Sequence, residues 1–315
     1  MKLALTLVSC LSLALVGCDK KKSDAPAKPA PAAPTPGSAA APTPGSAAAP
    51  TPAPAPGSPA PTPVTADVPA EGIKLPYTPK QVGDKVTETD EQTMVAKVEV
   101  SPTQIIDLNT TEQRVEVKEA LAVDGDGITK LKISYPSITI KETVAGKAKD
   151  KPTPTVGKTY LVTREGDTLK VTYEDGSAPS PEEIKVVQKG NRSVGRPDPM
   201  DRLLADHVWK VGEKFALSPE QLAELNKNMG GDGEPSLAGM SFTLQTADDA
   251  VATMAMTMDL AVKNPEGEMT FTLAGTAKVD RKTGRQLEIN ATGPFTANVK
   301  VKMTGTMTMK TTHVY

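Results

Sequence analysis

Long stretches of this chain alternate apolar and polar residues, and this alternation limits the fold more than any other feature. In "NVKVKMTGTMTMK" (298–310), valine or methionine takes almost every second position, and lysine and threonine take most of the others. "VATMAMTMDLAV" (251–262) follows the same rule. Successive side chains of a strand point to opposite faces, so a period of two predicts antiparallel strands that bury one face and leave the other wet.

Turn-forming residues stand where the alternation breaks, which predicts hairpins between the strands. These turns are "DGDG" (124–127), "REGD" (164–167), "NPEGE" (264–268) and "RKTG" (281–284). We therefore predict a mainly β domain over residues 71–315. It is built either as one large, curved, half-barrel-like antiparallel sheet or as two β subdomains that divide near 195–210.

A few short helices are predicted between the β runs. In "SPEQLAELNKNMGG" (218–231), Ser218 is the expected N-cap, Pro219 takes the first helical position and Gln221 completes the spacing of a capping box. "PDPMDRLLAD" (197–206) begins in the same way, with Asp198 as its cap. "SPEEIKVVQ" (180–188) gives a third helix.

The N-terminus has the features of an export signal. Lys2 supplies a positive charge and Leu3–Val16 is almost wholly apolar, a length typical of a signal peptide and shorter than the roughly 20 residues that span a membrane. The segment ends in Leu15-Val16-Gly17-Cys18, which resembles the lipobox of bacterial lipoproteins. The resemblance implies removal of residues 1–17 and lipidation of Cys18. Too few apolar residues precede Cys10, so it is predicted to leave with the signal.

Residues 18–70 form a predicted disordered tether. "APTPGSAA" occurs at 33–40 and again at 41–48, and most of the segment is proline, alanine, threonine, glycine and serine. Such a segment has too little apolar surface to offset the entropy of ordering it. We expect this tether to act as a spacer that holds the β domain away from a membrane. The acyl groups on Cys18 would bind that membrane. The protein is then lipid-anchored in a bacterial cell envelope, facing the periplasm or the outside, with inner or outer membrane left open.

The chain offers few residues for catalysis. Its two histidines, His207 and His313, are far apart in sequence, and both cysteines belong to the N-terminal signal region. The sequence contains no zinc-protease, nucleophile-elbow or phosphate-loop motif. We therefore predict a non-enzyme without a cofactor. No nucleic-acid partner is expected.

Methionine is unusually prominent, with twelve residues against 3% aromatics. Three interpretations are open. Methionine fills a core that lacks aromatic residues, or thioethers of the 254–258 strand bind Cu(I) through Met254, Met256 and Met258. The third interpretation is an apolar face for a lipid or acyl chain, whose candidate residues are Met254, Met256, Met258, Met307 and Met309.

The β region resembles two groups of envelope proteins. "GKTYLVTREGDTLKVTYEDG" (157–176) and "VDRKTGRQLEI" (279–289) are similar in rhythm to uncharacterised β-rich secreted lipoproteins of Gram-negative bacteria. Long strands, few helices and a lipid anchor are similar in outline to half-barrel lipid carriers of the LolA and LppX type. We predict a non-catalytic binding or structural module of the cell envelope, with a lipid or another envelope component as its partner. A periplasmic lipid carrier and a Cu(I)-binding protein are the alternatives.

Overall fold

The computed structural model describes residues 68–197, 199–229, 235–264, 267–299 and 301–315. The predicted signal, Cys18 and the tether up to residue 67 lie outside these ranges, as does the predicted cap Asp198. The strands are β1 (Ile73–Lys74), β2 (Lys85–Ser101), β3 (Gln104–Asp124), β4 (Gly127–Val144), β5 (Lys147–Lys151), β6 (Thr159–Glu165), β7 (Thr168–Thr172), β8 (Val208–Trp209), β9 (Lys214–Ala216), β10 (Pro235–Ala247), β11 (Val251–Asn264), β12 (Gly267–Asp280), β13 (Gln286–Asn298) and β14 (Lys302–Val314). The helices are α1 (Pro181–Gly190), α2 (Pro199–Asp206) and α3 (Pro219–Met229).

Twelve strands form one antiparallel sheet in the order β7-β6-β4-β3-β2-β14-β13-β12-β11-β10-β9, with β5 paired to β4. β1 and β8 form a separate pair. Because β2 pairs with β14 from Glu99 opposite Lys302 to Thr87 opposite Val314, strands from both halves of the chain belong to the same sheet. The predicted mainly β fold is therefore confirmed in its first form, one large antiparallel sheet with a few short helices.

The buried side chains of the sheet lie on one face, which we call the inner face. In β11, every second residue from Ala252 to Val262 is buried. Among the described residues, three short helices and the β1–β8 pair are the regular elements that remain to cover this face. An apolar face must be buried, so the sheet curves around its own side chains and stays open at its edges, β7 and β9.

Predicted turns and helix caps are present where the described residues cover them. β3 turns into β4 at 125–126, and β6 into β7 at 166–167, whereas residues 265–266 of the third turn lie outside the description. A capping box that was not predicted begins α1, where the Ser180 N–H donates to Glu183 Oε2 at 2.9 Å and the Glu183 N–H donates to Ser180 Oγ at 3.4 Å. Ser218 and Gln221 form the same capping box at α3, at 2.8 and 3.3 Å.

Two apolar clusters occupy the inner face. The first core cluster extends over β10–β14 and the ends of β2 and β3, and it includes residues of α2 and α3. The second core cluster is smaller and joins β4, β6 and β7 to α1, with Tyr160 and Val187 both wholly buried. Trp209 is also wholly buried in the first cluster, and its Nε1 donates to the Leu204 carbonyl at 2.9 Å. The indole therefore has a partner for its one polar atom.

A row of charged side chains runs along β2 and β3, between the strands of the two clusters. We call it the charged belt, and its members are Glu88, Asp90, Glu112, Arg114, Glu116 and Lys118. Five of them are buried, from 1% exposed at Glu112 to 8% at Asp90. Burying a charge costs free energy unless it is paired or hydrogen-bonded, so the partners of these side chains decide whether the belt stabilises the fold.

Residues 76–84 form a strap across one end of the sheet. Thr78 Oγ1 donates to the Thr283 carbonyl at 2.6 Å, and the Gly83 N–H donates to the Ala120 carbonyl at 2.8 Å. A Cβ at Gly284, where φ is +70°, would lie 1.8 Å from the Pro76 carbonyl oxygen, so this turn requires glycine. The strap thus connects the β12–β13 turn to the inner strands of the sheet.

Candidate functional site

A cleft of about 180 Å³ opens beside the charged belt, where the strap meets the ends of the central strands. β2 contributes Glu88 and Asp90 to its wall, β3 contributes Lys118, and β14 contributes Thr311 and His313. The strap, α2 and the segment around the start of β13 add four more charged side chains, which are Lys80, Asp84, Asp201 and Arg285. At the bulk density of water, this volume corresponds to roughly six water molecules. It suits a small organic group.

Two ion pairs line the more exposed part of the cleft, its mouth. Lys80 Nζ lies 2.7 Å from Asp201 Oδ2, and Arg285 Nη2 lies 2.7 Å from Asp84 Oδ2. Burial by itself raises the pKa of Asp84, but the Gln81 N–H and the Arg285 guanidinium hold that pKa below its ordinary value. The four charges are thus neutralised in pairs, and both pairs tie the strap to other elements.

The deep wall of the cleft belongs to the charged belt. Lys118 Nζ contacts Glu88 Oε2 and lies 2.6 Å from Glu116 Oε2. Arg114 is held in the same way, with Nη2 2.5 Å from Glu112 Oε1 and Nη1 3.4 Å from Glu116 Oε1. Burial by itself lowers the pKa of Lys118, but Glu116 and Glu88 raise it above its ordinary value, so the ammonium keeps its charge. Each cation of the belt is bound between two carboxylates.

Asp90 differs from the other acids of the belt. Its Oδ1 accepts a hydrogen bond from Thr311 Oγ1 at 2.6 Å, and no described residue donates to its Oδ2. Burial, and then the negative charge of Glu88, raise the pKa of Asp90 to about 7. The residue is 8% exposed and lines the cleft. Asp90 therefore presents an unused oxygen to the cleft and holds a proton well above the ordinary range of an aspartate.

We expect the stability of the domain to fall as the pH rises from about 4 to about 7. The pKa of Asp90 is about 7 in the folded state against an ordinary 3.8, so the folded state binds a proton that the unfolded state has already released, and this contribution is lost as the pH rises. Asp90→Asn removes this difference. Its free energy of unfolding in urea should exceed that of the native chain at pH 8 by on the order of a few kcal/mol. If the free energy of unfolding of the two proteins depended on pH in the same way, the raised pKa of Asp90 would be contradicted.

A second buried carboxylate, Glu183, shows how an acid in this fold is fully paired. Its oxygens accept hydrogen bonds from Lys158 at 2.7 Å, Tyr160 at 2.8 Å, Tyr173 at 2.7 Å and Ser180 at 2.6 Å. Burial raises its pKa, but these donors, Lys158 first, hold the pKa far below its ordinary value. Glu183 fastens α1 to β6 and β7, and it does not line the cleft.

The methionines singled out in the sequence lie inside the first core cluster. They share the inner face, as the alternation predicts, and each is at most 3% exposed: Met254, Met256, Met258, Met307 and Met309. None of them lines the cleft. In this structure they fill core space. The lipid and Cu(I) interpretations of this face stay predictions, and either ligand would have to displace packed core atoms to reach the sulfurs.

The two histidines lie in different surroundings. His207 stacks on Phe215, with ring centroids 4.2 Å apart, and meets the edge of Trp209 at 4.6 Å. Burial lowers its pKa. His313 lines the cleft, with Nε2 3.6 Å from Glu88 Oε2. Within the described ranges, no group of three or more His, Cys, Asp or Glu residues is arranged to hold a metal ion.

The cleft was not predicted, although the sequence of β2 carries part of the signal for it. In "VTETDEQTMVAKVEV" (86–100), the apolar phase set by Met94 and Ala96 continues upstream through Asp90 and Glu88. Extending that phase would have predicted inward-facing carboxylates on β2. Both faces of the segment are polar, however, so hydrophobic periodicity gives no sign of which face is buried.

No family model and no curated protein matches this chain. Five chains of solved structures match it. One belongs to a study of lipid–protein interactions in lipovitellin, with a TM-score of 0.37, 9% identity and coverage of 73% of this chain and 25% of that one. Another is DynF, from the dynemicin biosynthesis pathway of Micromonospora chersina, with a TM-score of 0.21, 8% identity and coverage of 81% and 92%. The chain thus spans about a quarter of the lipovitellin chain, and these TM-scores are too low to support an argument about function. Among the described residues, none of the helices has both the length and the hydrophobicity of a membrane span.

Proposed function

We propose that this chain is an exported bacterial lipoprotein, anchored to a membrane of the cell envelope by acyl groups on Cys18, whose β domain is a non-catalytic binding module. The signal, the lipobox and the composition of the tether support the anchored part of this proposal. The binding part of the proposal rests on the cleft beside the charged belt.

The cleft supports binding because it brings buried charges to the wall of a small concave space. Elsewhere on the inner face, apolar side chains pack against each other in two core clusters. Beside the belt, Glu88, Asp90 and Lys118 instead border a space of about 180 Å³. A few convergent polar groups in a concave site are typical of small-molecule binding.

The same side chains support a non-catalytic role. His313 directs Nε2 toward Glu88 and Nδ1 toward Gln286, at 3.6 and 3.4 Å, so neither ring nitrogen is placed beside a hydroxyl to activate it. Lys118 and Arg285 are each bound to carboxylates. Nucleophilic catalysis needs a base placed beside a nucleophile, and His313, Lys118 and Arg285 are each engaged with other side chains.

A variant that fills the cleft tests this function. Ser193 lies between α1 and α2 and lines the cleft, so Ser193→Trp should occupy the space without removing a member of the charged belt. The chain is extracted in mild detergent from the membranes of a bacterial host and measured by native mass spectrometry. We expect the native chain to carry a small noncovalent mass that denaturation removes, and Ser193→Trp to lack this mass.

Lys282→Trp is the matched control, because it adds the same side chain to an exposed turn after β12. This variant should retain the noncovalent mass. If Ser193→Trp also retains the mass, or if the native chain carries none, the cleft is not the binding site of the module.

A further inference from the structure

The deep end of the cleft holds more acid than base. Of the belt, Glu88, Asp90 and Lys118 line the cleft, which leaves a formal excess of one negative charge at its deep end when both acids are ionised. Lys118 is already shared between Glu88 and Glu116, and Arg114 between Glu112 and Glu116. A positive charge that enters the cleft would therefore be attracted to this wall.

Asp90 provides an acceptor for such a charge. Its Oδ1 is occupied by the hydroxyl of Thr311, whereas its Oδ2 receives no hydrogen bond from any described residue. The residue is more than nine-tenths buried and lines the cleft. Glu183, the paired carboxylate described above, accepts hydrogen bonds from four side chains. Asp90 thus has an acceptor oxygen to offer a donor that arrives through the cleft.

The mouth of the cleft adds no strong attraction for an anion. Its two cations, Lys80 and Arg285, are each neutralised by a carboxylate at 2.7 Å. Lys85, the other cation near the mouth, is exposed, and solvent screens its charge. The charge that is left unbalanced in the cleft is therefore the negative charge of the deep end.

We propose that the deep end of the cleft binds the cationic nitrogen of a small organic ligand, an ammonium or guanidinium group, with Asp90 Oδ2 as its acceptor. This rests on the proposed function, because it takes the cleft as the binding site of the module. The cleft volume of about 180 Å³ suits an organic cation of a few heavy atoms or the cationic end of a longer molecule. Charge-assisted hydrogen bonds of this kind are stronger than neutral ones.

Binding of the cation should release a proton. Asp90 keeps its proton up to about pH 7 because it is buried near Glu88, on its own strand, and Glu116, on β3. Arg114, which is the residue opposite Asp90 on β3, and Lys118 on the same strand also face this region, together with Thr311 and the neighbouring His313 on β14. A cation beside Asp90 favours the charged carboxylate. The ligand and the proton therefore compete for the same oxygen, and binding should strengthen as the pH rises.

Three probes of equal length separate the charge from the rest of the ligand: 5-aminopentanol as the cation, 1,5-pentanediol as the neutral analogue and 5-hydroxypentanoate as the anion. Each is titrated into the full-length lipidated chain in detergent and followed by calorimetry. We expect 5-aminopentanol to bind at least tenfold more tightly than the other two. Its affinity should be about tenfold higher at pH 7.5 than at pH 6, since Asp90 loses its proton in this interval.

Asp90→Asn should weaken the binding of 5-aminopentanol at least tenfold and remove its pH dependence. Glu224→Gln removes an exposed acid on α3 and should change neither the affinity for 5-aminopentanol nor its pH dependence. A preference for 1,5-pentanediol or 5-hydroxypentanoate overturns the cation proposal, and so does an Asp90→Asn variant that binds 5-aminopentanol as tightly as the native chain. These outcomes leave the proposed function standing as long as the noncovalent mass is lost in Ser193→Trp. Absence of that mass from the native chain overturns the proposed function itself.

Discussion

Replacing Lys118 with methionine should lower the free energy of unfolding by about 3–5 kcal/mol. Lys118 is 6% exposed, and its Nζ lies between the carboxylates of Glu88 and Glu116, 2.6 Å from the latter. Methionine retains much of the side-chain volume and removes the charge, so two buried carboxylates lose the ammonium that neutralises them. Urea unfolding followed by far-UV circular dichroism measures the loss.

An exposed ion pair provides the control for this prediction. Lys227 and Glu224 on α3 are 2.8 Å apart, with side chains 70% and 51% exposed, so Lys227→Met should change the stability by less than about 0.5 kcal/mol. Adding Glu88→Gln and Glu116→Gln to Lys118→Met removes the stranded charges and should restore part of the stability. An effect of Lys118→Met as small as that of Lys227→Met would show that the buried carboxylates do not need this ammonium.

Replacing Cys18 with serine should transfer the protein from the membrane fraction to the soluble fraction. Serine has no thiol for acylation, and several acyl chains at one N-terminus are what would hold the chain on a membrane. The β domain should remain folded, because both core clusters, as far as residues 68–315 are described, are built from Ile73 onward and do not include Cys18. Fractionation, together with the far-UV circular dichroism of the released protein, checks both parts of this expectation.

Cys10→Ser is the matched control for the anchor, since the same change falls in the segment predicted to be removed. This variant should remain on the membrane and should incorporate labelled palmitate as the native chain does, whereas Cys18→Ser should incorporate none. Membrane retention of Cys18→Ser would contradict the lipobox assignment. Loss of the label from Cys10→Ser alone would move the lipidation site to Cys10.

Strands, turns and caps could be predicted from the sequence because each depends on residues close together in the chain. The period of two in β11 places Met254, Met256 and Met258 on one face, and the structure has them there. Ser218 and Gln221 are three residues apart and meet in one helical turn. Such patterns also predicted the fold class, since long alternating runs leave an antiparallel sheet as the way to bury one face.

The cleft could not be predicted because its walls come from distant parts of the chain. Asp90 and Thr311 are 221 residues apart and meet because β2 pairs with β14. The burial of Glu88 and Asp90 depends on that pairing and on the strap, whereas their own neighbours in sequence are polar on both faces. In the same way, alternation places the methionines on one face, but only the packing of the curved sheet determines whether that face is open or filled.

The cleft has walls from the strap and from β14, which lie near opposite ends of the described part of the chain. Arg285 and Asp84 are 201 residues apart, and contacts across such distances are slow to form, because a long loop must close before they stabilise the chain. The cleft therefore stays incomplete until the C-terminal strand has joined β2. A ligand bound in the cleft would contact both the strap and β14. It would therefore stabilise the folded domain and slow its unfolding.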